Sequence, residues 1–248
     1  MPARESEALV LRTYPFREAD LIVSFIARDQ GKLRGVARSA RRLKNRFGAG
    51  LERLAHVRMF YFQRENRDLV SLDSCELIES QFAVAADYAL GVALDFLAEV
   101  SDQLLPEHEP NDRYFRLLLL VLDHIRTCGQ SGMWAALTYF SLWAVKLGGW
   151  LPDLSACILC AKEIPPEAPA FFARTVPGLT CESCRPPNAW ALRAESRAAA
   201  ADMLRVSLRK LGHSAGRAAL ADLRQFLLHR LEEQLERKLV TAPLLAGL

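Results

Sequence analysis

Apolar and polar positions along the N-terminal part of the chain follow a short-strand pattern. Glu7–Tyr14, Leu21–Arg28, Lys32–Arg38, His56–Gln63 and Leu69–Leu77 are short runs rich in Val, Leu, Ile, Phe and Tyr. Turn-forming pieces separate several of them: Pro15 with Glu18-Ala19-Asp20, then Asp29-Gln30-Gly31, then Asn66-Arg67-Asp68. This composition and punctuation predict five strands, with a tight hairpin at Asp-x-Gly. From Ser80 the spacing becomes helical. One helix is expected over Ala83–Leu105, with Leu90, Leu94 and Leu97 on its buried side and Pro106 as its stop. A second follows an Asn111/Asp112 N-cap, with Phe115, Leu118, Leu122 and Ile125 inward. Met133–Leu147, Glu195–Lys210 and Arg217–Lys238 complete the helical pattern.

Five short strands with one longer connection, Ser39 to Ala55, suggest a small closed barrel, most simply an OB-fold, with an SH3-like barrel the alternative. The expected class is therefore α+β. The expected layout is a five-stranded OB-fold barrel over residues 1–79, a fold that presents a sheet face and loops to oligonucleotides, followed by a helical bundle over 80–248 carrying a four-cysteine zinc-finger segment near 152–189. The composition, 51% hydrophobic and 25% charged in 248 residues, is that of a globular protein with a real core. The longest apolar run, Leu117–Leu122, is far short of the roughly 20 residues that cross a bilayer. The opening MPARESEALVLR lacks a secretory apolar stretch. A cytoplasmic location without a membrane partner is the expectation.

Charge changes this picture locally. Between Arg28 and Arg46 lie eight cations against the single acid Asp29, a segment of +7 in a chain whose total is only +3. A basic stripe on an otherwise acidic chain is a localised anion-binding surface. Strand alternation puts Lys32, Arg34 and Arg38 on sides that can face solvent, and Arg41, Arg42, Lys44 and Arg46 crowd the following loop. Such a loop can follow a phosphate backbone. Tyr14, Phe16, Phe47, Tyr61 and Phe62 are the aromatic residues available for stacking on bases, and Phe47, between Arg46 and Gly48, is the one selected.

Four of six cysteines form Cys157-x-x-Cys160 and Cys181-x-x-Cys184. Two such knuckles can fill a tetrahedral zinc site, and a filled site builds structure without offering a catalytic position. The intervening stretch contains Pro165-Pro166, Pro169 and Pro177-Gly178 and promises little core of its own. Reduced thiols in a metal-free loop are the alternative. Cys75 and Cys128 stand alone in apolar surroundings and read as small core residues. The chain lacks GxxxxGK[ST], a GxGxxG after a strand, HExxH, and the H-x-E of zinc deaminases, so no enzymatic activity is expected.

The chain resembles the RecO family across nearly its full length. The resemblance rests on ALVLRTYPFREADLIVSFIARDQGKLRGVARSARRLKNRFGAGLERL, with Glu18 before the second strand, G-K-L, and the A-R-R-x-K-x-R-F-G loop. WLPDLSACILC and PGLTCESC add the cysteine segment, where that family keeps its finger. It implies an N-terminal OB-fold, a helical bundle and a single structural Zn2+ site. It also implies a mediator of DNA repair and homologous recombination that binds single- and double-stranded DNA and anneals complementary strands. That mediator would load recombinase onto strands covered by single-strand-binding protein (SSB), with RecR and the acidic C-terminal tail of SSB as partners and a nucleoid-associated location. A zinc-ribbon protein that binds RNA or ribosomes through the same basic surface is the main alternative. A scaffold whose basic loop docks an acidic peptide is another.

Overall fold

The computed structural model describes residues 3–63, 67–211 and 216–248; Asn66, expected in a turn, lies outside them. Strands β1 (Ala3–Phe16), β2 (Asp20–Ala27), β3 (Gly31–Ala37), β4 (His56–Phe62) and β5 (Leu69–Glu79) close into a barrel of order β1-β2-β3-β5-β4. Closure depends on the length of β1. Ala3–Leu9 pairs antiparallel with β4, while Ala8–Phe16 pairs antiparallel with β2, with a register irregularity between Val10 and Arg12. One strand thus serves both edges, and the bend lets it turn between them. Strand β3 runs parallel to β5, the one parallel pairing in the barrel.

The alternation in sequence is the reason for the barrel's interior. Val10, Val23, Phe25, Leu33, Val57 and Met59 are all buried in one core. Each such side chain contributes about 1.5–3 kcal/mol by leaving water. The Asp29-Gln30-Gly31 hairpin closes with Gly31 at φ +76°, and a Cβ there would sit 2.2 Å from the Glu109 carbonyl oxygen. Only glycine fits both the backbone angle and the space.

The expected first helix is two. Helix α1 (Phe82–Ala85) ends before Asp87, whose extended backbone and side chain cap α2 (Tyr88–Leu104) by accepting from the Leu90 N–H at 3.1 Å. Asn111 caps α3 (Asp112–Cys128) in the same way, accepting from the Tyr114 N–H at 3.0 Å. Helix α4 (Gln130–Leu147) is followed by three short strands, β6 (Ala170–Ala173), β7 (Val176–Thr180) and β8 (Trp190–Leu192), in the order β7-β6-β8. Three helices complete the chain: α5 (Ala194–Arg205), α6 (Arg217–Gln234) and α7 (Thr241–Ala246). The small sheet was not anticipated. Its strands are three to five residues long, too short for alternation to show against Pro165-Pro166 and Pro177-Gly178.

The chain divides into two compact units, Met1–Leu119 with Leu239–Leu248, and Leu120–Lys238. Helix α3 belongs to the first up to Leu119 and to the second beyond it. In the first unit, buried Glu99 of α2 accepts from the N–H groups of Val240 (2.8 Å) and Thr241 (2.9 Å) and from the Thr241 hydroxyl (2.6 Å), which fixes α7. Burial alone would raise the pKa of Glu99, but these donors hold it below the ordinary carboxylate value. In the second unit, α4 and α5 pack on α6, and Phe172 of β6 meets Phe226 of α6 edge-to-face with centroids 5.1 Å apart.

The two lone cysteines differ. Cys75 packs against the barrel core, and burial pushes its thiol up to about 11. Cys128 is exposed, contrary to expectation: it is the last residue of α3, where the helix has turned its side chain away from the interior.

Candidate metal centre and basic surface

The sulfurs of Cys157, Cys160, Cys181 and Cys184 all lie within 4.8 Å of one another. The first pair sits in a knuckle closed by the Cys157 N–H donating to the Lys162 carbonyl (2.9 Å) and the Ala161 N–H donating to the Cys157 carbonyl (2.9 Å). The second pair follows β7 directly, in a 3-10 turn where the Cys184 N–H donates to the Cys181 carbonyl (3.1 Å). A bond from the Ile158 N–H to the Leu179 carbonyl (2.8 Å) ties the first knuckle to β7 and so brings the two pairs together.

The donor set fits a metal ion. Tetrahedral thiolates at a metal–sulfur distance of about 2.3 Å lie roughly 3.8 Å apart, and the Cys160 and Cys181 sulfurs are 3.8 Å apart. The electrostatics point the same way. Burial opposes ionisation of Cys157, yet the backbone N–H groups of Cys181, Cys160 and Leu159 draw its thiol down to about 6. The neighbouring sulfurs of Cys160 and Cys181 push Cys184 up to about 12. Four sulfurs this close do not all ionise by themselves, and a dication held between them would neutralise the thiolates. A metal ion held by all four cysteines would have no open coordination position.

Arg197 of α5 holds the same segment from the other side, and its role was missed in the sequence. It is only 7% exposed, and its guanidinium donates to the carbonyls of Leu154, Ile164 and Ala168 (each 2.8 Å) and Pro165 (2.9 Å). The rigid fork of an arginine suits several convergent carbonyls. The available signal was an arginine on the buried stripe of an alanine-rich helix, beside Ser196 and Ala200.

The eight residues expected at a nucleic-acid surface separate into groups. Lys32 and Arg34 do point outward from β3, but both are engaged within their own unit. The Lys32 ammonium donates to the Asp102 carbonyl (2.6 Å), and Arg34 pairs with Glu107 (2.8 Å). Arg46 pairs with Asp73 (2.6 Å), and the Arg41 guanidinium donates to the Glu18 carbonyl (3.1 Å). Arg38, Arg42 and Lys44 are exposed and have no side-chain partner among the described residues. Phe47 is a correction. Its ring is 3% exposed in the barrel core and cannot stack on a base, because it is the apolar anchor that ends the loop.

The loop itself is fixed at both ends. The Ser39 N–H donates to the Asp20 carboxylate (2.8 Å), and the Arg41 N–H donates to the Ala19 carbonyl (3.0 Å). At the other end the Asn45 side chain accepts from the Phe47 and Gly48 N–H groups and donates to the Arg42 carbonyl, each at 2.9 Å. The basic loop is thus joined to the turn between β1 and β2, which carries Arg17, 5.1 Å from the Phe16 ring. Nothing in the basic run predicted that attachment.

The fold and site define a class: an OB-barrel protein with a helical part and a four-cysteine centre able to hold a metal ion. Family models narrow it. The model for the recombination protein O N-terminal region matches residues 1–81, and that for its C-terminal region matches residues 86–242. The DNA repair protein RecO of Koribacter versatilis is 46% identical over 243 residues, 98% of each chain. That of Cutibacterium acnes is 35% identical over 76% of each chain, and that of Anaeromyxobacter sp. (strain K) 30% identical over 92% of this chain and 91% of its own. The chain belongs to the RecO family of DNA repair proteins. Among the described residues no helix is long and apolar enough to cross a membrane.

Proposed function

We propose that this protein is a recombination mediator without chemistry of its own. It binds single- and double-stranded DNA through residues 1–79, anneals complementary strands, and helps load recombinase onto strands coated by SSB. RecR and the SSB C-terminal tail are its partners, and it works in the cytoplasm at the nucleoid. Cys157, Cys160, Cys181 and Cys184 hold one structural zinc. The observation that carries this reading is the set of uncommitted cations on an anchored loop. Arg38, Arg42 and Lys44 have no counter-charge of their own, so a polyanion can pair with them without first breaking an internal bond. Annealing needs the repulsion between two polyanions reduced without base edges being read, and such a loop supplies that.

The test is fluorescence anisotropy of labelled DNA with the wild type and with Arg38, Arg42 and Lys44 changed to Ala. Removing three phosphate contacts should weaken single-strand binding at low salt and flatten the slope of log affinity against log salt by about 2. Unchanged binding in the folded variant would move the DNA surface elsewhere. RNA strands annealed as well as DNA strands would favour the RNA-binding alternative.

A further inference from the structure

The barrel places two side chains on the basic surface that phosphate binding does not explain. Leu43, at the tip of the loop, is the most exposed large apolar residue among those described, at 105% of its reference area. Single exposed leucines are common, but this one stands among Arg41, Arg42, Lys44 and Arg46, and its exposure is imposed. The three hydrogen bonds of Asn45 and the burial of Phe47 fix the frame that carries it outward. Tyr14 lies on the other half of the surface. It is on β1 opposite Ile22, is 40% exposed, and has the Arg12 guanidinium 5.9 Å from its ring centroid. Loop and hairpin are one hydrogen-bonded piece, through Ser39 to Asp20 and Arg41 to Ala19 and Glu18.

We propose that Leu43 and Tyr14 contact the faces of unpaired bases while the surrounding cations hold the phosphates. This deepens the DNA-binding reading above and rests on it. An apolar or aromatic side chain gains little from a phosphate backbone, and base faces are hidden inside a stacked duplex. Ring contacts of this kind are made where bases are unstacked, and they tolerate any sequence because every base has a face. Tyr14 offers a ring for stacking, and Leu43 offers an apolar tip that can slip between neighbouring bases as wedge residues do. The surface therefore prefers a single strand to a duplex of equal charge, beyond what electrostatics gives.

The experiment compares wild type, Leu43→Ala, Tyr14→Ala and Tyr14→Phe on three labelled probes. These are an oligothymidylate, an abasic strand of the same length, and a duplex. Leu43→Ala and Tyr14→Ala should each weaken oligothymidylate binding by about fivefold or more, with Tyr14→Phe restoring most of it. Abasic-strand binding and the salt slope should stay as in wild type, since neither residue neutralises a phosphate. Equal losses on the abasic strand, or no loss on oligothymidylate, would overturn the assignment. Wild-type protein that binds none of the probes would sink the DNA-binding reading itself.

Discussion

In the barrel, alternate residues of five strands fill one interior, with Val10, Phe25, Leu33, Val57 and Met59 among many buried side chains. In the cysteine segment the strands are three to five residues long, and the buried apolar side chains, among them Ile164, Phe171, Phe172 and Leu179, are spread over a long, Pro-rich stretch. What converges there instead is polar: four sulfurs within 4.8 Å and four carbonyls on one guanidinium. Barrel stability is thus spread over many apolar contacts, none of which alone holds the barrel closed. The segment concentrates its stability in a few strong interactions, as small scaffolds without a sufficient core do. The difference teaches where the molecule is vulnerable and to what kind of change.

Metal removal is the sharpest way to break the comparison. A strong chelator, or Cys157→Ser, should abolish amide-exchange protection across residues 156–192, a local loss of several kcal/mol. The five barrel strands should keep theirs, because nothing in their core depends on a metal. Hydrogen exchange read by mass spectrometry distinguishes the two regions in the intact chain. Loss of protection in β1–β5 along with the segment, or an unchanged segment after verified metal loss, would remove the contrast.

The same division explains how much the sequence disclosed. The strand runs at Leu21–Arg28 and Lys32–Arg38 fall within a residue of β2 and β3, because short apolar runs bounded by turn residues mark strands. Strand β3 alternates between core and surface, whereas β2 is buried at every position from Val23 to Ala27. The four cysteines were legible for a different reason: metal chemistry dictates their spacing. What stayed hidden depends on partners distant in sequence. Arg197 finds its carbonyls 29 to 43 residues away, and Glu99 finds Thr241 142 residues away. Residue type alone says nothing of either. Phe47 misled because its neighbours are cationic, whereas its side chain follows the loop back into the barrel. Lys32 and Arg34 alternate outward as expected, but the residues that engage them, Asp102 and Glu107, come from a distant stretch.

Phe47 offers a test of intermediate size within the barrel. Phe47→Ala should cost about 3–5 kcal/mol of barrel stability, the usual range for emptying a buried aromatic site. Phe47→Leu should recover most of that loss and bind single-stranded DNA like wild type, since the side chain serves as an anchor. Denaturant melts and anisotropy measured on the same preparations provide both readouts. A Phe47→Leu protein of near-normal stability with weakened strand binding would show that the ring does meet bases after all, and would blur the line between core and surface.

The smallest expected effect lies in the first knuckle. Ala161 has φ +59°, a left-handed conformation that costs a non-glycine residue about 1–2 kcal/mol. That strain is tolerated because the Ala161 N–H must reach the Cys157 carbonyl to close the knuckle around the first two sulfurs. Ala161→Gly removes the strain but frees the unfolded chain, which takes back about 0.4–1 kcal/mol. The net gain should be about 0.5–1 kcal/mol, felt only when the knuckle is formed. It should therefore appear as roughly two- to fivefold tighter metal retention in chelator competition, using 0.59 kcal/mol for RT, with the barrel's denaturant midpoint unmoved. An unaltered competition curve would mean that the metal, once bound, does not depend on this turn. In that case the segment's stability would rest on Arg197 and the small sheet more than on the knuckle geometry.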